Sequence, residues 1–333
     1  MLGSGFSASC GLPTQSQLFE LLLKVPVEYP KRDSDVQSAL KTLTLFFPHF
    51  RENSYGYPPF EQFLSLLEAS SDAGLSGEEG SLSIFPSEQQ QEVRTGCLRL
   101  LRAALVSKLS FCDQSKSAVQ EFVRCLRGGD AVITFNWDTL VEQELVHAKK
   151  QFVFGPGNQE CITVLKLHGS LAWCRLDDIG RLPSDHQSRF QKIDDSPEAA
   201  CFLRSEYLSD QRVLLEMPLP CIVLPVYQKE PTRDWLMKIM WEQAYDRLGR
   251  AAEDPSSKIV IIGYSLPPED HHARLLLRMG IGACGDDKKT LHVIDPDPEV
   301  AARYFTSITP RIKFHRRRFM GDELQEILSE SVG

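Results

Sequence analysis

Four segments of the sequence set chemically useful side chains directly after short apolar runs. Asn136 and Asp138 lie in Thr134-Phe-Asn136-Trp-Asp138-Thr-Leu140, just past the run Ala131–Phe135. His168 follows Leu165-Lys-Leu167 and precedes Gly169-Ser170. Gly263 and Ser265 stand in Ile261-Ile-Gly263-Tyr264-Ser265-Leu266-Pro267, and Asp295 follows His292-Val-Ile294. Ligands of parallel sheets sit outside the carboxyl ends of the strands, so each segment falls where a ligand would be met. An amide and a carboxylate there can hydrogen-bond sugar hydroxyls or orient a water. A histidine before Gly-Ser is little crowded, and an imidazole with an ordinary pKa near ~6.5 suits a general base at neutral pH. Gly263 allows close approach, Ser265 can bond a phosphate or ribose, and Asp295 suits a ribose hydroxyl. Each segment also has a plainer reading. Asn136 or Asp138 would cap a helix starting at Thr139, and His168 would be a hydrogen-bonded structural histidine. Asp295 or Asp297 would cap a helix with Pro298 in its first turn. Gly263-Tyr-Ser265 also approaches a hydrolase nucleophile elbow, but that motif wants glycine where Pro267 stands.

The opening Gly3-Ser4-Gly5-Phe6-Ser7-Ala8 fits G-x-G-x-x-G/A at the entrance to a helix. Glycines there permit a tight turn and a close approach to a pyrophosphate, which the helix N-terminus would face. A glycine-rich turn with no ligand is the alternative. Such a turn ordinarily follows a strand, yet only Met1 and Leu2 precede Gly3. That predicts an abbreviated first strand, or a recorded start downstream of the natural one.

These residues need a scaffold, and the apolar pattern supplies one. Runs at Ala131–Phe135, Ile162–Leu167, Cys221–Leu224, Lys258–Ile262, Leu291–Ile294 and Ile312–Phe314 have the length and composition of strands buried on both faces. Helical patterns such as Trp235–Ala252 and Asp297–Thr306 lie between several of them. Alternating strand and helix predicts an α/β fold, a Rossmann-like doubly wound parallel sheet. Residues 25–128 read as almost wholly helical. Phe60, Phe63, Leu64 and Leu67 repeat at helical spacing, as do Cys97, Leu98, Leu101, Leu105 and Leu109, with a polar loop over Ser70–Ser87 between them. Thr14 is placed to cap a helix carrying Leu18, Leu21 and Leu22. The expectation is a single domain over 1–333, with 25–128 an inserted helical module and 171–220 a second insertion. The core would then be assembled from 1–24, 129–170 and 221–333.

The chain has 333 residues, 42% hydrophobic and 25% charged, which is ample for a large core. Its net charge of −8 argues against nonspecific binding to nucleic acid or anionic lipid, which need a cationic face. No apolar stretch approaches the ~20 residues of a membrane span. Nine scattered cysteines, none in a C-x-x-C pair, suit a reducing cytoplasm and leave no ordinary structural zinc motif. No metal and no membrane or nucleic-acid partner is therefore expected, and a homo-oligomer is left open.

Taken in order, Gly-Ser-Gly-Phe-Ser (3–7), Gly-Leu-Pro (11–13), Thr-Phe-Asn-Trp-Asp (134–138), Leu-His-Gly-Ser (167–170), Gly-Tyr-Ser-Leu-Pro (263–267) and Val-Ile-Asp-Pro (293–296) resemble the sirtuin-like NAD-binding superfamily. The resemblance spans nearly the whole chain. It implies NAD as ligand or substrate, with Gly3, Ser4, Gly5, Phe6, Ser7 and Pro13 around the pyrophosphate turn. It puts Asn136 and Asp138 beside the nicotinamide ribose, makes His168 the catalytic histidine, and sets Gly263, Ser265 and Asp295 at the phosphate and adenosine end. Deacylating sirtuins carry a four-cysteine zinc module, which is missing here. They follow Gly-Ile-Pro with Asp-Phe-Arg, whereas Pro13 is followed by Thr14-Gln15-Ser16. Where they have Phe-Gly-Glu for an acyl-lysine peptide, this chain has Leu224-Pro225-Val226-Tyr227. The departures resemble the zinc-free branch, several members of which hydrolyse NAD to nicotinamide and ADP-ribose, often in defence. An NAD glycohydrolase is the leading expectation. A protein deacylase, a catalytically silent NAD or ADP-ribose binding module, and a serine hydrolase on Ser265 are the alternatives.

Overall fold

The apolar runs become strands because each can bury both faces between helices. In the computed structural model, which describes residues 1–25, 31–47, 57–72, 87–109, 118–155, 160–192, 200–222, 235–268, 270–282, 289–309 and 311–329, they form the middle of an α/β fold. The chain begins with α1 (Ser4–Ala8) and α2 (Gln15–Leu23), the latter opened by a capping box between Thr14 and Gln17. Then come α3 (Arg32–Phe46), α4 (Phe60–Asp72), α5 (Ser87–Leu109) and α6 (Ala118–Cys125). The sheet region starts with β1 (Ala131–Thr134), α7 (Leu140–His147), β2 (Phe152–Phe154) and β3 (Ile162–Lys166). A second stretch holds β4 (Trp173–Arg175), α8 (Leu176–Ile179), α9 (Ser184–Gln187), β5 (Phe190–Lys192), β6 (Ala200–Leu203) and α10 (Gln211–Glu216). The last third alternates: α11 (Trp235–Glu253), β7 (Ile259–Ile262), α12 (His271–Gly282), β8 (Leu291–Ile294), α13 (Pro298–Ser307), β9 (Ile312–His315) and α14 (Asp322–Ser329).

All the pairings in the main sheet are parallel. β1 and β2 flank β3, with Thr134 opposite Lys166, and β7 and β9 flank β8, with Ile262 opposite Ile294. Leu2 joins the two halves. It makes parallel bridges to both Thr134 and Ile262. Its N–H donates to the Ile133 carbonyl and its carbonyl accepts from Phe135 N–H, while Gly3 N–H reaches the Ile262 carbonyl. In the segment ahead of the glycine turn, the sheet bridges are made by Leu2. Its slot is central, and Leu2 is buried.

Two further apolar clusters lie beside the sheet. One packs the helical spacing read above: Phe60, Phe63, Leu64 and Leu67 of α4 meet Leu43 of α3 and Leu101 of α5. Asp35 and Arg99 fasten α3 to α5 through two hydrogen bonds of 2.9 and 2.6 Å. Trp137 and Leu171, which flank the candidate histidine and amide in sequence, belong to this cluster. The other lies in 171–220. There β4, β6 and β5 form a small antiparallel sheet that the polar composition did not announce. Buried Arg102 of α5 donates to the carbonyls of Met217 and Pro218, which ties this stretch to the helices. The run Cys221–Leu224, expected as a strand, is described only through Ile222. Ile222 makes only an isolated antiparallel bridge to Gly169, and 223–224 lie outside the described residues. Most of the loop Ser70–Ser87 and the segment Leu224–Lys229 also lie outside them.

Candidate functional site

The carboxyl ends of β1, β3 and β7 open onto a cavity of about 100 Å³. Its walls carry Ser4, Ser7 and Pro13 from the opening turn and Asn136 and Asp138 after β1. His168 after β3, and Ser265 and Asp270 after β7, complete them. Leu18 of α2 and Leu105 of α5 close the helical side. Residues up to 266 positions apart in sequence, from Ser4 to Asp270, thus share one space.

The polar contacts in this space have a fixed direction. The Asn136 amide nitrogen donates to the Gly3 carbonyl and to Ser7 Oγ, both at 2.9 Å. A carbonyl only accepts, so the amide orientation follows. Ser7 Oγ in turn donates a hydrogen bond to Asp138 Oδ2 at 2.7 Å. The relay runs Asn136 to Ser7 to Asp138, and what Asn136 has left to offer is an acceptor oxygen. Asp138 is doubly engaged, because Oδ1 accepts from Leu140 N–H at 3.0 Å. The capping alternative for Asp138 is thus part of the geometry, alongside its hold on Ser7. Below it, Lys166 Nζ donates to the Asp138 carbonyl at 2.5 Å and pairs with Glu142 at 2.8 Å, in surroundings where both side chains are only 1% exposed. Burial pushes the Glu142 carboxyl above the ordinary carboxylate range, with the Lys166 charge pulling the other way.

His168 sits among rings. Phe135 meets it edge-on at 5.2 Å, and Trp241 lies at 6.5 Å. Its Nε2 is 3.8 Å from Asp270 Oδ2. Asp270 Oδ2 accepts a hydrogen bond from the Tyr264 hydroxyl at 2.7 Å, and Tyr264 stacks on Phe135 at 4.2 Å and 15°. The sequence shows Asp270 only as a helix cap and gives Tyr264 no role. An acid before a helix accounts for itself, and no spacing reports where a phenol points. Phe135 and Trp137, inside the 134–138 motif, also line the cavity.

Other expected residues are not brought to the cavity. The Phe6 ring is fully buried against Phe122 and Phe319, at 5.1 and 5.5 Å. Gly3, Gly5 and Gly263 instead face one another. A Cβ on Gly3 would stand 2.5 Å from the Gly263 carbonyl, and one on Gly263, whose φ is +60°, would stand 2.3 Å from Phe6 N. The glycines let two backbones touch. The N–H groups of Gly3, Gly5 and Phe6 donate to carbonyls of Ile262, Gly263 and Gly3 respectively. Asp295 is buried at the end of β8 with Oδ1 accepting from Asp297 N–H at 2.9 Å, and burial pushes its carboxyl up. Asp297 caps α13 ahead of Pro298. Among the described residues no group of three or more His, Cys, Asp or Glu is placed to hold a metal, and no helix is long and apolar enough to cross a membrane.

No protein-family model and no curated protein matches the chain. Among solved structures, it is similar to a triply substituted Sir2 homologue in complex with 2'-O-acetyl ADP ribose, at 17% identity and a TM-score of 0.43, with 100% of this chain and 93% of that chain covered.

Proposed function

We propose that this chain is a sirtuin-like protein of the zinc-free kind that binds NAD in the cavity and hydrolyses its nicotinamide–ribose bond. One observation carries the reading. Ser7, Asn136, Asp138, His168 and Ser265, drawn from four separate motifs, line a single cavity at the carboxyl ends of parallel strands. We read 25–128 as an inserted module that supplies the far wall, and 171–220 as a second insertion.

The cavity is smaller than the ~300–1,000 Å³ usual for ligand sites. It suits the nicotinamide–ribose end, and the rest of the dinucleotide would extend past Ser4 and Ser265. Nicotinamide leaves as a neutral base with the bonding electrons, so it needs no general acid. Oxocarbenium character builds at the ribose C1′, and a water adds there as its proton passes to His168. Asn136, with both amide protons engaged, offers its oxygen to that water or to a ribose hydroxyl. Asp138 holds Ser7 and through it the Asn136 side chain. A positioned base is worth typically ~10²–10⁴-fold.

The test is to incubate purified protein with NAD across pH 6–9 and separate the products. Release of nicotinamide and ADP-ribose in equal amounts, unchanged by chelators, supports the reading. Release that requires an acyl-lysine peptide would make the protein a deacylase. Tight NAD binding with no release under either condition would make it a binding module. Elemental analysis should return less than one zinc per chain.

A further inference from the structure

We propose that Asp270 forms a carboxylate–imidazole pair with His168 and, as a positioning residue, sets how readily His168 accepts a proton. This rests on reading the cavity as the site of NAD cleavage. Capping of α12 needs one carboxylate oxygen, and Oδ1 supplies it by accepting from Ala273 N–H at 3.3 Å. Oδ2 is turned elsewhere, to the Tyr264 hydroxyl and to His168 Nε2 at 3.8 Å. Both partners are nearly sealed, with His168 5% and Asp270 4% exposed, and both line the cavity.

The pair is held from each side. Tyr264 is clamped by its stack on Phe135, and its carbonyl accepts the Tyr304 hydroxyl proton at 2.9 Å. Burial holds the Tyr304 phenol well above its usual range, so it remains a donor. On the other side, Trp241 Nε1 donates to the Leu167 carbonyl at 3.2 Å, next to His168. An anion this close, in a space with apolar walls, favours the imidazolium over the neutral ring. The proton taken from water stays on His168 and Asp270 stays ionised, so the pair ends the step as an ion pair. Among the described residues, the other ionisable groups near it include Asp138 across the cavity, Tyr264, Tyr304 and Asp295 behind Tyr264, Arg274 one turn further along α12, and His272, whose ring meets Trp241 at 6.0 Å.

The experiment compares wild type with Asp270→Asn and Asp270→Ser. Both substitutes keep a helix-capping oxygen and lose the charge. His168 is titrated by imidazole NMR, and nicotinamide release is followed from pH 5 to 9. The expected result is a His168 midpoint lower by about one unit or more in both variants. The acid limb of kcat/KM moves down with it, and kcat falls by roughly tenfold or more with a smaller change in KM. A folded variant whose His168 midpoint matches wild type overturns the pair. Wild type that releases no nicotinamide, while the variants still shift the midpoint, overturns the hydrolase reading and leaves the pair standing.

Discussion

The polar side chains in the cavity have donor or acceptor duties that can be removed singly. On the proposed reading, His168→Ala takes away the base, and Asn136→Ala takes away the acceptor oxygen offered to the water or a ribose hydroxyl. Each is expected to lower nicotinamide release by about 10²-fold or more. The double variant should fall short of the product of the two if they serve one step. NAD affinity, measured by calorimetry, should change less than turnover, since Ser4 and Ser265 remain. Gly263→Ala makes a different point. Its Cβ would meet backbone at 2.3 and 2.4 Å, and the added side chain would sit at positive φ. Its thermal midpoint is expected to drop far below wild type; a midpoint within a few degrees would mean the opening turn can shift aside. At this scale the sequence is informative wherever a polar residue follows an apolar run, as with Asn136, Asp138 and His168. It is silent on Asp270 and Tyr264, whose partners are set by rotamer and by the packing of Phe135. It misleads on Phe6, where a position inside the glycine motif carries a core aromatic.

The elements under the site meet at a buried ion pair, Lys166 on β3 with Glu142 on α7. Lys166 also holds the Asp138 carbonyl, so it braces the turn that carries Asn136. Removing one partner of such a pair leaves a buried uncompensated charge, so Lys166→Met should cost about 3–5 kcal/mol. Replacing both, as Lys166→Met with Glu142→Leu, should recover much of that loss. The pH dependence has a defined sign. Glu142 has a folded pKa raised above 4.5. The folded state therefore binds more protons than the unfolded one, and stability falls as pH rises from 4.5 through the folded value. Lys166→Met pushes that value higher still, so its deficit should widen toward neutral pH and narrow near pH 4.5. Chemical denaturation at several pH values measures this, and a deficit independent of pH would remove Glu142 from the account. Strands β1, β3, β7, β8 and β9 are legible as apolar runs. β2, β4 and β5 are three residues each, too short for a period to register among polar neighbours. The run at Cys221 has strand composition, and its described part makes the Gly169 bridge and a hydrogen bond from Cys221 N–H to the Trp173 carbonyl of β4.

Across the whole molecule, the cavity lies where the helical cluster meets the sheet. Trp137 packs with the helices and also lines the cavity between Asn136 and Asp138. Trp137→Ala should therefore raise the KM for NAD more than it lowers the thermal midpoint would suggest; a pure stability loss with unchanged KM would uncouple the two. The α/β class and the alternation of the last third are legible because strands and helices there are long enough to show their periods. The union of the sheet halves through one residue is not, since a single leucine has no pattern. That union also orders events during synthesis. Met1 and Val260, bonded in the sheet, are 259 positions apart along the chain. A ribosome releases the opening turn first, yet the backbones it lies against, at Ile262 and Gly263, emerge near the end. Until then Leu2 has half a sheet to join and Gly3 and Gly5 have nothing to touch. Contacts this distant in sequence form late. Arrested nascent chains should leave residues 1–8 open to protease until residues through β8 have left the tunnel, so the walls that Ser4 and Ser7 lend the cavity are set only after the strands they lie against.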